Sequence, residues 1–551
     1  MSDHDTAVSD LEALQREVTR LRDGLRRAVG FEEGAWGVDG HGFSYEIALS
    51  RPLPVGGYVQ LSTRDGRRYL GQVIDQHTTS RPGPQVSVDV GSTLRGTAAL
   101  GAATVTVNMR LVSGDGLLLA RLAEPFSPVD RHATFDIADI EEAPPELVDD
   151  FIIWSLGGGT GLDTAGASFG TGAVLPLLGA KGFNRHTFLC GQSGSGKTYS
   201  LGVLLERLLL HTTITMVVLD PNSDYVGLAD LLPAEASGAA GDAYDRVRRH
   251  WEQLRDRVVV LGAAGTTAFK GLFGRLTIEQ QALVLGLEPV RDAEAYAAFR
   301  ALRDAAGRDV TMSQFLAHAE GADDQAMTSL ARRIRNLGAA TWDVWAEAGD
   351  TPVLDALPPD YRLIVADLGS VSSTHERSVQ SAAVLGWLWQ HRHERVPRLV
   401  VIDEAHNVCP QRPDSPLASL ATEHVIRIAA EGRKYGLYLL LSTQQPQKIH
   451  ANVLSQCDNL ILLRMNSSVD TDHLARVFGF VPAPLLRQAN GFRLGEGLVA
   501  GKITSHPMRV QGARRWTREG GADVPTTWAR PAGPDAAHDR TPAAAHGDHG
   551  P

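Results

Sequence analysis

Gly191-Gln192-Ser193-Gly194-Ser195-Gly196-Lys197-Thr198 stands between an apolar run, His186–Cys190, and a second apolar stretch of helical character, Ser200–Leu210. The octapeptide fits G-x-x-x-x-G-K-[ST] in the strand–loop–helix setting that gives the pattern its chemistry. Glycines let the backbone curl so that N–H groups at a helix N-terminus point at phosphate oxygens. On that reading Gly191, Gly194, Ser195 and Gly196 build the cradle, Lys197 reaches the β- and γ-phosphates, and the Thr198 hydroxyl binds magnesium. A glycine-serine loop that fits by coincidence would leave a second segment unexplained. Val400-Val401-Ile402-Asp403-Glu404-Ala405-His406 is an apolar strand ending in two carboxylates. Asp403 falls at the edge where open α/β sheets bind ligands, as the magnesium partner, with Glu404 as the base that orients attacking water. The structural alternative is a pair of carboxylates capping the next helix. Together the two segments describe a nucleoside triphosphatase.

Two more side chains belong to the same chemistry. Leu441-Ser442-Thr443-Gln444 ends a further apolar run, and Gln444 there can touch both the γ-phosphate and the attacking water. Arg433, in Glu431-Gly432-Arg433-Lys434-Tyr435-Gly436, suits a guanidinium supplied across a subunit interface to a transferring phosphoryl group. Outside a ring it is a surface arginine beside a turn.

The chain has 551 residues, 43% of them hydrophobic and 21% charged, which is the composition of a globular protein with more than one domain. A formal charge of −11 argues against a basic coat, without excluding a basic channel within an assembly. Cys190, Cys409 and Cys457 show no CxxC spacing, so neither a disulfide framework nor a zinc site is expected. The N-terminus lacks an apolar signal core and no run reaches membrane-span length, so no membrane association and a cytoplasmic location are expected.

Five regions follow from the patterning. Residues 1–32 read as a charged helix whose Leu11, Leu14, Val18, Leu21 and Leu25 have coiled-coil spacing, or as one amphipathic helix. Residues 33–125 read as a small antiparallel barrel or sandwich, with period-two strands and turns at Asp65-Gly66 and Asp115-Gly116. A linker, 126–180, precedes a nucleotide-binding region, 181–515. Its apolar runs at 186–190, 214–220, 362–368, 398–403, 437–443 and 459–465 suit a parallel sheet covered on both faces. A helical subdomain is expected at about 240–345, with a Thr277/Gln280 capping box. Residues 516–551 read as a disordered tail.

The ordered segments resemble one family, the HerA branch of the HerA/FtsK ring translocases. Besides those quoted, they are Asp220-Pro221-Asn222-Ser223-Asp224-Tyr225, Ala366-Asp367-Leu368, Ser442-Thr443-Gln444-Gln445-Pro446 and Asn452–Asn459. The resemblance covers most of residues 35–515. It implies an α/β fold: a RecA-like P-loop ATPase core with an inserted helical subdomain, preceded by a HAS-barrel-like domain. It also implies a homo-hexamer that binds ATP and Mg2+ between subunits and double-stranded DNA in its channel, with Arg433 acting in trans. Family members work with nucleases, or with effectors such as NADases in anti-phage defence. Three features depart from the family: Asp224 replaces the usual Glu, the loop 409–421 is long, and both termini lie outside the pattern.

Other readings fare worse. Asp403-Glu404-Ala405-His406 spells a DEAH box, but the remaining chain is too short for a second helicase lobe, and Ser442-Thr443-Gln444 replaces Ser-Ala-Thr. A GTPase would need N-K-x-D, and a non-enzymatic ATP-binding scaffold would typically have lost Lys197 or Glu404. A conjugation or secretion motor of the superfamily would carry or dock to a membrane anchor. The main alternative is an ATPase ring serving chiefly as assembly and activation platform for a partner enzyme.

Overall fold

Continuous valine, isoleucine and leucine runs bury both faces of a strand, and such runs line up in parallel at the centre of this molecule. The computed structural model describes residues 33–51, 53–89, 102–124, 126–129, 134–168, 177–234, 242–262 and 267–520. The coiled-coil reading of 1–32 and the tail reading beyond 520 lie outside the described residues.

Strands β1 (Gly34–Gly37), β2 (Gly42–Ala48), β3 (Tyr58–Thr63), β4 (Arg68–Asp89), β5 (Ala102–Arg121) and β6 (Ala138–Glu142) close a barrel in the order β1-β2-β5-β4-β3-β6. Phe43, Tyr45, Leu61, Tyr69 and Ile140 fill it. Two expectations need correcting here. Asp115-Gly116 is not a turn but part of β5, where a Cβ on Gly116 would sit 2.1 Å from the Phe43 ring. The glycine makes room for an aromatic side chain rather than for a bend. The barrel also closes with β6, inside the stretch read as linker. Its buried Ala138 and Ile140 alternate with acids, which hid the strand.

After helix α1 (Pro145–Ser155) and the small strands β7 (Gly161–Leu162), β8 (Ala165–Ser168) and β9 (Leu178–Gly179) comes the main sheet. It contains β10 (His186–Cys190), β11 (Thr215–Asp220), β12 (Val258–Leu261), β13 (Leu363–Asp367), β14 (Arg398–Ile402), β15 (Leu437–Thr443) and β16 (Cys457–Leu463). These run parallel in the order β12-β13-β11-β14-β15-β10-β16. Strands β17 (Glu496–Gly501), β18 (Met508–Gly512) and β8 continue the sheet antiparallel. The fold is therefore α/β with a RecA-like P-loop core behind an antiparallel barrel.

Helix α2 (Lys197–His211) follows β10. The segment read as helical holds α3 (Asp242–Leu254), α4 (Ile278–Val284), α5 (Ala293–Ala306), α6 (Met312–Glu320) and α7 (Gln325–Leu337), but also β12, an edge strand too short to show a period. The capping box is present: Gln280 N–H donates to Thr277 Oγ1 at 3.2 Å, and Thr277 N–H to Gln280 Oε1 at 2.8 Å. Helices α8 (Thr374–Gln390) and α9 (Pro416–Glu431) pack side by side on one face.

Residues 516–520, which read by composition as part of a disordered tail, pack on the phosphate-loop helix. Glu206 of α2, fully buried, accepts hydrogen bonds from the Trp516 N–H (2.9 Å) and Thr517 N–H (2.7 Å). The Trp516 ring lies 3.3 Å from the Arg207 guanidinium carbon, and buried Arg515 reaches Glu206 at 3.7 Å. Residues 513–520 thus strap the phosphate-loop helix. Among the described residues no helix is long and apolar enough to cross a membrane.

Candidate functional site

The phosphate loop leaves the C-terminal end of β10, a central strand, which is where parallel sheets place ligands. Gly194 (φ 71°) and Gly196 (φ 88°) adopt left-handed backbone that glycine takes without Cβ strain. Gly196 is the N-cap of α2. Three neighbours hold the loop from behind. Gly191 N–H donates to Thr443 O at 3.4 Å, Gln192 N–H to Arg464 O at 2.9 Å, and Gly495 N–H to Ser195 O at 3.1 Å. The Arg464 guanidinium also donates to Gly194 O at 2.9 Å.

Lys197 and Asp403 are 206 residues apart in sequence, yet the lysine Nζ lies 2.7 Å from Asp403 Oδ1 and 3.1 Å from Glu404 Oε1. It donates a further bond to Ser442 Oγ at 3.2 Å. All three charged groups are buried. Burial opposes the lysine's charge, but Asp403 and Glu404 outweigh it and hold its pKa above the usual lysine value. Glu404 has φ 42°, a costly conformation for a residue with a Cβ. It is held from two sides: Gln444 Nε2 donates to Oε1 at 2.8 Å, and His406 Nδ1 lies 3.3 Å from Oε2. His406 in turn pairs with Thr443 Oγ1 at 3.0 Å.

Asp220 organises the third wall. Its carboxylate accepts from the N–H groups of Asn222, Asp224 and Tyr225, which turns the chain so that the Tyr225 hydroxyl donates to Asp403 Oδ2 at 3.3 Å. Burial, and after it the charge of Asp403, pushes Asp224 up to about 6. Within this constellation the buried Ser195 Oγ and Glu404 Oε2 lack a hydrogen bond among the described residues.

Gly191, Gly194, Ser195, Gly196, Lys197, Asp403, Glu404 and Gln444 therefore converge, with Thr198 in the first turn of α2. Arg433 does not join them. It stands before the N-terminal end of β15, half-exposed, with Nη1 donating to Asp458 Oδ2 at 2.8 Å. Sequence reasoning missed Ser442, Tyr225 and His406 as site neighbours. The signal for each was adjacency: Ser442 ends the strand that carries Gln444, and His406 follows Glu404 by two.

The profile of the family described as "Helicase HerA, central domain" matches residues 171–314. The DNA double-strand break repair helicase HerA of Pyrococcus furiosus is 23% identical over 381 residues, 60% of this chain and 65% of its own length. That of Sulfurisphaera tokodaii is 32% identical over 118 residues, 21% of this chain and 23% of the relative. The chain thus spans less than two thirds of either relative. Among solved structures, VirB4 of Thermoanaerobacter pseudethanolicus is similar at 14% identity and a TM-score of 0.45, over 64% of this chain and 96% of that one, too loose a likeness to bear on function.

Proposed function

Because this chain belongs to the HerA-like ATPases of the HerA/FtsK superfamily, we propose that it hydrolyses ATP as a homo-hexamer and uses the energy to move along double-stranded DNA. One observation carries the catalytic part: a lysine at the mouth of a phosphate loop, bonded to two buried carboxylates, one of them held by a glutamine. Lys197 exchanges its carboxylate partners for the β- and γ-phosphates when ATP enters. Its ammonium now fills the space beside Asp403, so the donor set of Asp403 and the Thr198 hydroxyl fits a divalent cation there. Magnesium held by Asp403 and Thr198 would supply charge neutralisation to the phosphates. Glu404, released from Lys197, takes the proton of the attacking water, with Gln444 fixing its orientation and that of the γ-phosphate. Arg433 of one subunit stabilises the charge on the phosphoryl group bound by its neighbour. The family resemblance supports a nuclease or NADase-type effector as the working partner, in DNA end processing or anti-phage defence.

Nucleotide binding and turnover by two variants test the assignment. Glu404→Gln keeps ATP bound and unhydrolysed, whereas Lys197→Ala loses binding. Wild-type turnover by Glu404→Gln refutes the base assignment. Turnover that rises with duplex length supports the motor. Stimulation by a partner protein with no effect of DNA refutes it in favour of the assembly platform.

A further inference from the structure

A second cavity opens beyond the C-terminal ends of the sheet strands, with Pro221, Leu368 and His406 in its wall. It has a volume of about 700 Å³, within the range of small-ligand sites. Its wall includes His406, so it shares one residue with the nucleotide site. The remaining charged lining is Arg377, Arg412 and Lys448 against a single acid, Asp414. None of the three cations has an ion-pair partner among the described residues, Asp414 included. In a chain of net charge −11, a concavity with three unpaired cations is a local reversal of sign.

The backbone holds these cations together. The segment after β14, which sequence reading extended to Ala421, is a loop only as far as Ser415, the N-cap of α9. It is zipped to the segment after β15. Gln411 N–H donates to Lys448 O at 2.6 Å, His450 N–H to Cys409 O at 3.0 Å, and Ala451 N–H to Gln411 Oε1 at 2.9 Å. Arg412 and Lys448 therefore face one space from two strand ends. Arg377 enters from α8, its Nε fixed on Val371 O at 2.7 Å with the rest of the fork uncommitted among the bonds described. Thr374 and Ser415 bring the N-termini of α8 and α9 to the same cavity, adding positive potential to the cations.

We propose that this cavity is a phosphate-binding site, distinct from the phosphate loop, whose occupancy is relayed to Glu404 through His406. The fork geometry of two arginines suits the paired oxygens of a phosphate group, either a DNA backbone phosphate or free inorganic phosphate. A phosphate drawing on Arg412 and Lys448 pulls the loop that carries His406. His406 touches Glu404 at 3.3 Å and Thr443 at 3.0 Å, so a shift of the loop changes how the water-activating carboxylate is held. The relay rests on the role proposed for Glu404; the binding site does not.

The experiment separates those parts. Binding is measured in the full chain carrying Lys197→Ala, which disables the phosphate loop, with a short duplex DNA and with inorganic phosphate as probes. Adding Arg377→Gln and Arg412→Gln is expected to weaken binding of at least one probe about tenfold or more, the loss of charge-assisted hydrogen bonds. A decrease for duplex alone assigns the ligand to the DNA backbone, and a decrease for inorganic phosphate assigns a free-phosphate site. No change with either probe, in a variant whose thermal unfolding matches its parent, overturns the site. For the relay, ATP turnover of the otherwise wild-type chain is followed as the probe is added. The probe should change turnover, and His406→Gln should abolish that response while weakening probe binding far less than the Arg377 and Arg412 substitutions do. Unaltered turnover at saturating probe overturns the relay. Absence of any ATP turnover would instead count against the proposed ATPase, leaving the binding result to stand.

Discussion

Replacing Arg433 with alanine tests whether the nucleotide site is complete within one chain. Strand β15 has seven residues between the Arg433 turn and Gln444. At about 3.3 Å per residue its ends are about 20 Å apart, with Arg433 at one and the site at the other. A guanidinium bound to Asp458 does not cross that distance to the phosphates of its own subunit, so any catalytic contribution comes from a neighbour. Losing such an arginine slows turnover by about a thousandfold or more. The discriminating measurement uses co-assembled mixtures of Arg433→Ala and Lys197→Ala chains, each inactive alone. At equal mixing about a quarter of the interfaces pair an intact phosphate loop with an intact arginine, so steady-state phosphate release should recover to about a quarter of wild type. No recovery at any ratio, with both variants assembling normally, refutes the trans role. Near-normal turnover by Arg433→Ala alone refutes any catalytic role.

Three further outcomes follow from buried contacts. Glu206→Ala leaves Arg207 and Arg515 without their buried counter-charge and should lower stability by about 3–5 kcal/mol in chemical denaturation, with Glu206→Gln losing less. A Glu206→Gln chain as stable as wild type would deny the charge its part. Burial pushes His506 down to about 3, so it stays neutral in the fold while the unfolded chain protonates near about 6.5. That stability is present above about pH 6.5 and is lost as pH falls towards about 3, amounting to about 2 kcal/mol by about pH 5. His506→Gln, which can still face the Tyr58 hydroxyl, should remove that part of the acid sensitivity, and an unchanged difference between neutral and acid unfolding contradicts it. Gly116→Ala should cost about 1–3 kcal/mol through its clash with Phe43, and Phe43→Leu in the same chain should recover part of the loss; no recovery points to a backbone cause.

The parallel strands were legible because each is a short unbroken apolar run, a property of adjacent residues. The phosphate loop and the Asp403-Glu404 pair were legible because their chemistry is written in consecutive side chains and in glycines with one conformational purpose. The capping box at Thr277 and Gln280 belongs to the same class, since its partners lie three residues apart. What escaped was set by neighbours distant in sequence. β6 closes the barrel by pairing Ala35 on one side and the run Val59–Thr63 on the other. β12 is a strand only because β13 offers it an edge.

Sequence by itself determined a glycine-rich strand–loop–helix and the pair of carboxylates that meets its lysine, since backbone conformation and residue chemistry act locally there. Only the tertiary structure decided that Arg433 stands at the opposite end of the sheet from Lys197, and that His406 joins Glu404 to a basic cavity. It also decided that residues 513–520 strap helix α2 through Glu206. Strand order, register and the burial of a charge against its partner depend on packing between segments hundreds of residues apart, and no local pattern encodes that distance.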